Sequence, residues 1–506
     1  MKLTSPGKTA ALSLLSGLLL ALAFPRPDFS WLAWFGLVPL LTVMERHPFR
    51  SGFVAGCAFF GLVLYWLNIV MTTYGRMHPF FSLVAYVLLV AYLALFFGLA
   101  TWAVCRFREQ LGRSYLLTLP VVWVALEFLR SFLLSGFPWA SLGYSQQNRE
   151  VLLQSVDLFG VHGLSFLIVF ANVLVFQLWR SLARRGSEPL SRSGVAIGLL
   201  LIIAAHAYGF WRLGLPEDAT APTLEVALIQ GNIDQSVKWD PAYQQKTVEI
   251  YRELSREATA DGAPDLIVWP ESATPFYFQE PGPLSAQVTE VSRAIGGHLL
   301  FGSPAYEKGM GSYRYLNSAF LLSPSGVVLG RSDKVHLVPF GEYVPLGRFL
   351  PFIDKLVTGI GDFSPGTVNP LPLEAAKLGV LVCFEGIFPE LARDYAASGS
   401  GLLVNITNDA WFGRSSAPHQ HLAMTRFRAV ENRLWLARAA NTGISALIDP
   451  KGRIVARSEL FAPAVVRGKV LLGGEATLYQ RIGELPALLF CALAVFWLIR
   501  TRRRYP

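Results

Sequence analysis

Charge is what this sequence has least of. Only 16% of its 506 residues are Asp, Glu, Lys or Arg, against roughly 25% in an ordinary soluble chain. Too few charges to cover a water-facing surface exclude a disordered chain and a simple water-soluble one. Cysteine is scarce as well: there are four, and Cys57, Cys105 and Cys491 fall in or at the ends of apolar runs, leaving Cys383 with no disulfide partner in its own region. Internal repeats and low-complexity tracts are not apparent. What is abundant is apolar, at 53% of residues with a mean hydropathy of +0.41, and a chain of that make-up is read as a membrane protein.

A helix needs about 20 mainly apolar residues to cross the hydrocarbon core. Eight stretches are candidates: Ala10–Phe24, Trp31–Met44, Gly52–Met71, Phe80–Cys105, Tyr115–Leu134, Val161–Trp179, Gly194–Trp211 and, near the end, Leu485–Ile499. The formal net charge of +9 raises the question of nucleic acid, but the basic residues sit beside these runs. One set of flanks holds Lys2, Lys8, Arg46, Arg50, Arg106, Arg108, Arg113, Arg180, Arg184, Arg185, Arg192, Arg500, Arg502, Arg503 and Arg504; the alternate set holds Arg26, Arg76, Arg130 and Arg149. By the positive-inside rule both termini are expected in the cytoplasm of a bacterium, and topology, not nucleic acid, accounts for the charge. The expected organisation is a seven-span bundle over 1–212, a periplasmic domain over 213–480, and a final span with a basic tail over 481–506.

Within 213–480 short apolar runs alternate with helical patterns. Strands are expected at 224–230, 265–269, 298–303, 318–322, 326–331, 378–383, 401–407, 443–448 and 453–456, and helices at 246–259, 284–294, 389–397 and 419–439. Runs that are apolar throughout suit a sheet covered on both faces, so a layered α/β domain is predicted. Cys383 ends one such run and is followed by Phe384, Glu385 and Gly386, the strand-to-turn setting of a nucleophile. A thiol needs a base or a cation to react at neutral pH. Glu271, in the string DLIVWPESAT, offers a carboxylate at another strand end, and Lys334, in SDKVHLVPFGEYVP, offers an ammonium able to stabilise an oxyanion. His419 and His421, at i,i+2 with no cysteine or acid beside them, make a poor metal site, and neither metal nor cofactor is expected.

Glu, Lys and Cys in that order, each at a strand end, resemble the carbon-nitrogen hydrolase (nitrilase) superfamily over most of Leu224–Ser458. The resemblance implies a nitrilase-like αββα sandwich with Glu271 as base, Lys334 as oxyanion stabiliser and Cys383 as nucleophile. Joined to the spans, the strings GFPWASLGYSQ (136–146), QGNIDQSVKW (230–239), HLVPFGEYVP (336–345) and NITNDAWFG (405–413) are similar to the apolipoprotein N-acyltransferase family over almost the full length. That resemblance implies a phospholipid acyl donor, a cysteine thioester, and transfer to the α-amine of a diacylglyceryl-cysteine on an apolipoprotein at the membrane. It further implies support of the triad by Glu342 and Glu385. A thioester needs shelter from water, for which Trp239, Phe384, Trp411 and Phe412 are the substrate-pocket candidates. The stretch 347–361 is read as an arm dipping into the bilayer or as a packed surface helix. Two other organisations stay open: a membrane-tethered amidase or nitrilase with water as acceptor, and a transporter or sensor with a non-catalytic outer module.

Overall fold

The computed structural model describes residues 5–182, 192–218, 220–309, 312–343 and 363–502, so the expected arm at 347–361 lies outside the described residues. The chain divides into two compact units. One comprises 1–68, 78–215 and 481–506; the other comprises 69–77 and 216–480.

The first unit is helical. Among the described residues three helices are long and apolar enough to cross a membrane, Pro79–Arg106, Val156–Leu182 and Ser193–Gly214, with a fourth if the pair Pro48–Val63 and Leu67–Tyr74, bent by 58°, is taken as one span. The other stretches expected to span are shorter or broken, and proline accounts for two of them. Trp31–Met44 divides into a 3-10 turn, Ser30–Trp34, and a short helix, Val38–Leu41, with Pro39 in its first turn. Tyr115–Leu134 becomes a 3-10 segment, Gly112–Thr118, and a helix, Leu119–Arg130, with Pro120 in its first turn. Proline has no N–H to continue a ladder but fits a helix start, a break that an average of hydropathy does not register. Helix Pro48–Val63 packs closely on Pro79–Arg106 because Gly52 and Gly56 face it: a Cβ at Gly52 would lie 2.4 Å from the Phe97 carbonyl oxygen. Small residues at this spacing let helix backbones approach.

Glu127 and Arg130 are buried in this unit and fasten the GFPWAS loop. Arg130 donates to the carbonyls of Phe137 (3.1 Å) and Trp139 (2.6 Å), and Glu127 accepts from Trp123 Nε1 (2.9 Å) and the Leu142 amide (2.8 Å).

The second unit is built on two sheets. Its strands are β1 (Thr223–Gln230), β2 (Leu266–Val268), β3 (His298–Lys308), β4 (Tyr313–Leu322), β5 (Val328–Asp333), β6 (Leu371–Leu373), β7 (Ala376–Val382), β8 (Ser400–Thr407), β9 (Leu436–Ala440), β10 (Ala446–Ile448), β11 (Ile454–Arg457) and β12 (Ala464–Leu471). One sheet runs β12-β1-β2-β3-β4-β5 and the other β11-β10-β9-β8-β7-β6. Each has a parallel core, β1-β2-β3 and β7-β8-β9, flanked by antiparallel strands.

Alternation along β1 explains the layering. Val226 and Leu228 join a buried cluster with Val380, Val382, Val404 and Ile406 of the other sheet. Ala227 and Ile229 point the opposite way, into a cluster with Val248 and Tyr251 of helix Pro241–Glu257 and Val288 and Val291 of helix Pro283–Ile295. A one-residue slip would exchange these two sets of partners, so the register is fixed from both faces.

Three expectations need correction. The helix expected at 419–439 is Ala417–Asn432, ended by Arg433 in the left-handed region (φ 50°); the chain then enters β9. An Ala- and Leu-rich run suits either element, and parallel pairing with β8 decides for strand. β6 and β12 are additional strands. The run expected as a strand through Cys383 ends at Val382, and Cys383 opens a 3-10 turn, Cys383–Ile387.

Candidate active site

The chemistry-bearing residues follow strand ends. Glu271 comes after β2, Lys334 after β5, Cys383 after β7 and Asp409 after β8, an arrangement in which short loops converge while the sheets stay rigid. Glu271 is brought close to β3 by Gly302, where an added Cβ would lie 2.6 Å from the Glu271 Cα.

The structure joins Glu271, Lys334 and Glu342 directly. The Lys334 ammonium, 1% exposed, donates to Glu342 Oε1 at 2.9 Å and lies 3.6 Å from Glu271 Oε1. Asn317 Nδ2 donates to both carboxylates, at 2.8 Å each. The second oxygens accept from the backbone: Glu271 Oε2 from Asn408 N–H at 3.0 Å and Glu342 Oε2 from Val338 N–H at 2.8 Å. Two carboxylates around one buried cation are tolerable because every charge is paired and hydrogen-bonded. Burial works to lower the pKa of Lys334, but Glu342 and Glu271 hold it above the ordinary lysine value.

Cys383 is half-buried, with a backbone φ of 56°, a region that L side chains other than Asn and Asp seldom occupy. Burial and the Glu271 carboxylate push its thiol well above the usual range, while Lys334 pulls it down. A thiol held up in this way reacts most readily when a base takes its proton.

Glu385 sits beneath this turn, fully buried. It accepts from the amides of Val335 (2.6 Å) and His336 (2.9 Å) with one oxygen and of Val382 (2.6 Å) with the other, and so ties the Lys334 loop to the Cys383 turn. Burial raises its pKa from 4.5 to about 7 against these donors. Between those two values the folded protein keeps a proton that the unfolded chain releases. Stability from this group is therefore greatest at low pH and falls as pH rises through that window, by up to about 1.4 kcal/mol per pH unit. Replacing Glu385 by Gln is expected to flatten that slope in thermal denaturation between pH 5 and 7; an unchanged slope counts against the assignment.

The pocket candidates are less concentrated. Phe384 packs edge-on against Phe388, ring centroids 5.1 Å apart, and is 6.1 Å from the His336 ring. Phe412 meets His421 at 6.1 Å, and Trp411 meets Tyr74 at 5.9 Å. Trp239 is half-buried.

Several residues of the site escape a reading of the sequence. Lys238, beside Trp239, is completely buried and donates from Nζ to the Glu271 carbonyl at 3.0 Å. Burial lowers its amine to about 8, with Glu271 and Cys383 pulling the other way. Asn317 lies mid-strand in β4, and Asn408 contributes through its backbone. The one signal in the sequence was that Lys238 falls inside the string QGNIDQSVKW, where a solvated lysine is the ordinary expectation.

Residues 225–473, which carry this site, match the family model described as carbon-nitrogen hydrolase, and the second unit is a nitrilase-like hydrolase fold with two sheets. Residues 16–174 match the model described as apolipoprotein N-acyltransferase N-terminal domain. Over 484 residues, 95% of this chain and 92% of the relative, the sequence is 52% identical to the apolipoprotein N-acyltransferase of Geobacter metallireducens. It is 35% identical to that of Methylococcus capsulatus over 510 residues, 98% of this chain and 97% of the relative. The chain belongs to the apolipoprotein N-acyltransferase family. A solved amidase of the nitrilase superfamily, from Nesterenkonia sp. AN1, aligns with 52% of this chain and 96% of its own length at 23% identity, with a TM-score of 0.39.

Proposed function

We propose that this enzyme moves an acyl chain from a phospholipid to the α-amine of the diacylglyceryl-cysteine that begins an apolipoprotein, through a thioester on Cys383. The observation that carries the reading is full-length similarity at 52% identity to a curated apolipoprotein N-acyltransferase. Placement of the Glu271 carboxylate and the Lys334 ammonium within electrostatic reach of the Cys383 thiol supports the chemistry.

In the first half-reaction Glu271 takes the Cys383 proton as sulfur attacks the ester carbonyl, and Lys334 meets the negative charge that develops on the carbonyl oxygen. Collapse expels the lysophospholipid alkoxide, which receives the proton from Glu271. In the second, the acceptor amine attacks the thioester and gives a proton to Glu271. The tetrahedral adduct then releases the amide product, and the departing sulfur is reprotonated. Trp239, Phe384, Trp411 and Phe412 form the apolar shelter of the thioester.

The Lys and Arg distribution supports eight spans with both termini cytoplasmic and the catalytic unit on the periplasmic face of the inner membrane. The shorter apolar helices Pro6–Leu22, Ser30–Leu41 and Leu485–Thr501 complete that count together with the broken segment at 112–130. The two oppositely covered sheets of the second unit support the αββα description.

Detergent-solubilised enzyme supplied with phospholipid and a diacylglyceryl lipopeptide is expected to yield the N-acylated peptide and lysophospholipid in equal amounts. Hydrolysis of small amides, with no acylated peptide formed, would overturn the reading in favour of an amidase.

A further inference from the structure

Directly behind the nucleophile lies a buried polar cluster that the two-step chemistry does not use. Asp409, His421 and Arg438 are all buried, at 0%, 1% and 0% exposure. His421 is one of the two histidines of the PHQHL string set aside as metal ligands. It stands in helix Ala417–Asn432 and turns its ring toward the Cys383 turn. His421 Nε2 is 3.1 Å from the Cys383 carbonyl oxygen, which also accepts from Asn405 Nδ2 at 3.3 Å. A carbonyl oxygen only accepts, so Nε2 carries the hydrogen. On the other side of the ring, Nδ1 is 3.0 Å from Asp409 Oδ1 and 3.2 Å from Arg438 Nη2. Arg438 Nη2 donates to Asp409 Oδ2 at 2.7 Å, and Thr407 Oγ1 donates to Asp409 Oδ1 at 2.9 Å. Burial and the neighbouring guanidinium lower the pKa of the imidazole, while Asp409 and the Cys383 carbonyl pull it the other way.

The arrangement resembles an acid-histidine-thiol triad turned by one group: the imidazole addresses the nucleophile's main-chain carbonyl. That choice makes sense at a residue with φ 56°. A cysteine in the left-handed region is strained relative to its preferred conformations, so a 3-10 turn beginning there persists only if its peptide is held. Two donors on one carbonyl, both anchored to the same arginine through Asn405 Oδ1 and Asp409, supply such a hold.

We infer that His421, oriented by Asp409 and Arg438, is a positioning residue that keeps Cys383 in its strained conformation and so aims the sulfur between Glu271 and Lys334. The inference rests on the acyltransferase reading for its assay but not for its geometry.

The test compares His421→Gln, which retains a side-chain N–H donor, with His421→Phe, which fills a similar space without one. Thioester formation from phospholipid is followed by intact mass as a function of donor concentration. The phenylalanine variant is expected to lose about 30- to 100-fold in the maximal rate, the cost of misplacing a reacting atom, with the half-saturating lipid concentration unchanged and the melting temperature close to wild type. The glutamine variant is expected to recover most of that loss. Equal rates in the two variants, or a Phe loss explained by a matching rise in half-saturating lipid concentration, would overturn the role. Should the phenylalanine variant fail to fold, His421→Leu makes the same comparison with glutamine. Wild-type enzyme is run alongside: absence of any adduct there counts against the acyltransferase reading, not against His421.

Discussion

Replacing Cys383 by alanine is expected to reduce lipoprotein acylation by at least about 10⁴-fold, a loss of the size seen when the nucleophile of a covalent mechanism is removed. Alanine leaves the backbone demand at this position as it was, since both are L residues with a Cβ and the native φ is 56°. The fold is therefore expected to persist and the chemistry to vanish. Intact mass of the purified enzyme after mixing with phospholipid reads this directly. Wild type should gain one acyl chain that hydroxylamine removes, and the alanine variant should gain none. A hydroxylamine-labile adduct on the variant would move the nucleophile elsewhere. Persistence of acylation without any adduct on wild type would replace the thioester by direct transfer.

Lys334→Met should have the second largest effect, because it acts on rate and stability together. Removal of the ammonium leaves Glu271 and Glu342, 7% and 8% exposed, sharing the Asn317 amide with no cation between them. Breaking a buried ion pair in this manner costs about 3–5 kcal/mol, and loss of the group facing the developing oxyanion costs on the order of 10³-fold in rate. The two effects are read separately, stability by thermal denaturation and rate by acylation with the folded variant. An unchanged melting temperature would mean that the two carboxylates do not depend on Lys334. Arginine is not expected to rescue, because a planar fork does not reproduce the compact ammonium that Glu342 and Glu271 hold.

Much of the second unit was legible in the sequence for one physical reason. Strands covered on both faces need unbroken apolar runs, and VALI (226–229), LGVLV (378–382) and GLLV (401–404) are such runs. β12, with Arg467 and Lys469 on its partly exposed length, has no such signature, and its place is decided by pairing with β1. The three residues named for the triad stood out through their strand-end contexts. Lys238, Asn317 and His421 did not, because each is ordinary in its own segment and acquires meaning only from what the fold sets against it: a carbonyl, a second carboxylate, a strained turn. In the first unit composition marked the apolar stretches, but proline positions, which composition averages away, set where helices begin.

The pairing of β1 with β12 over Thr223–Gln230 and Ala464–Leu471 has a consequence for how the enzyme is made. The first strand of the unit to leave the ribosome is the neighbour of the last, and Glu271, Lys334 and Cys383 are all synthesised before that neighbour exists. Until it arrives, β1 presents an unpaired row of N–H and C=O groups, a template open to any passing strand. A chain interrupted before Ala464 therefore carries Glu271, Lys334 and Cys383 while the sheet that holds β2 and β5 still lacks its edge strand.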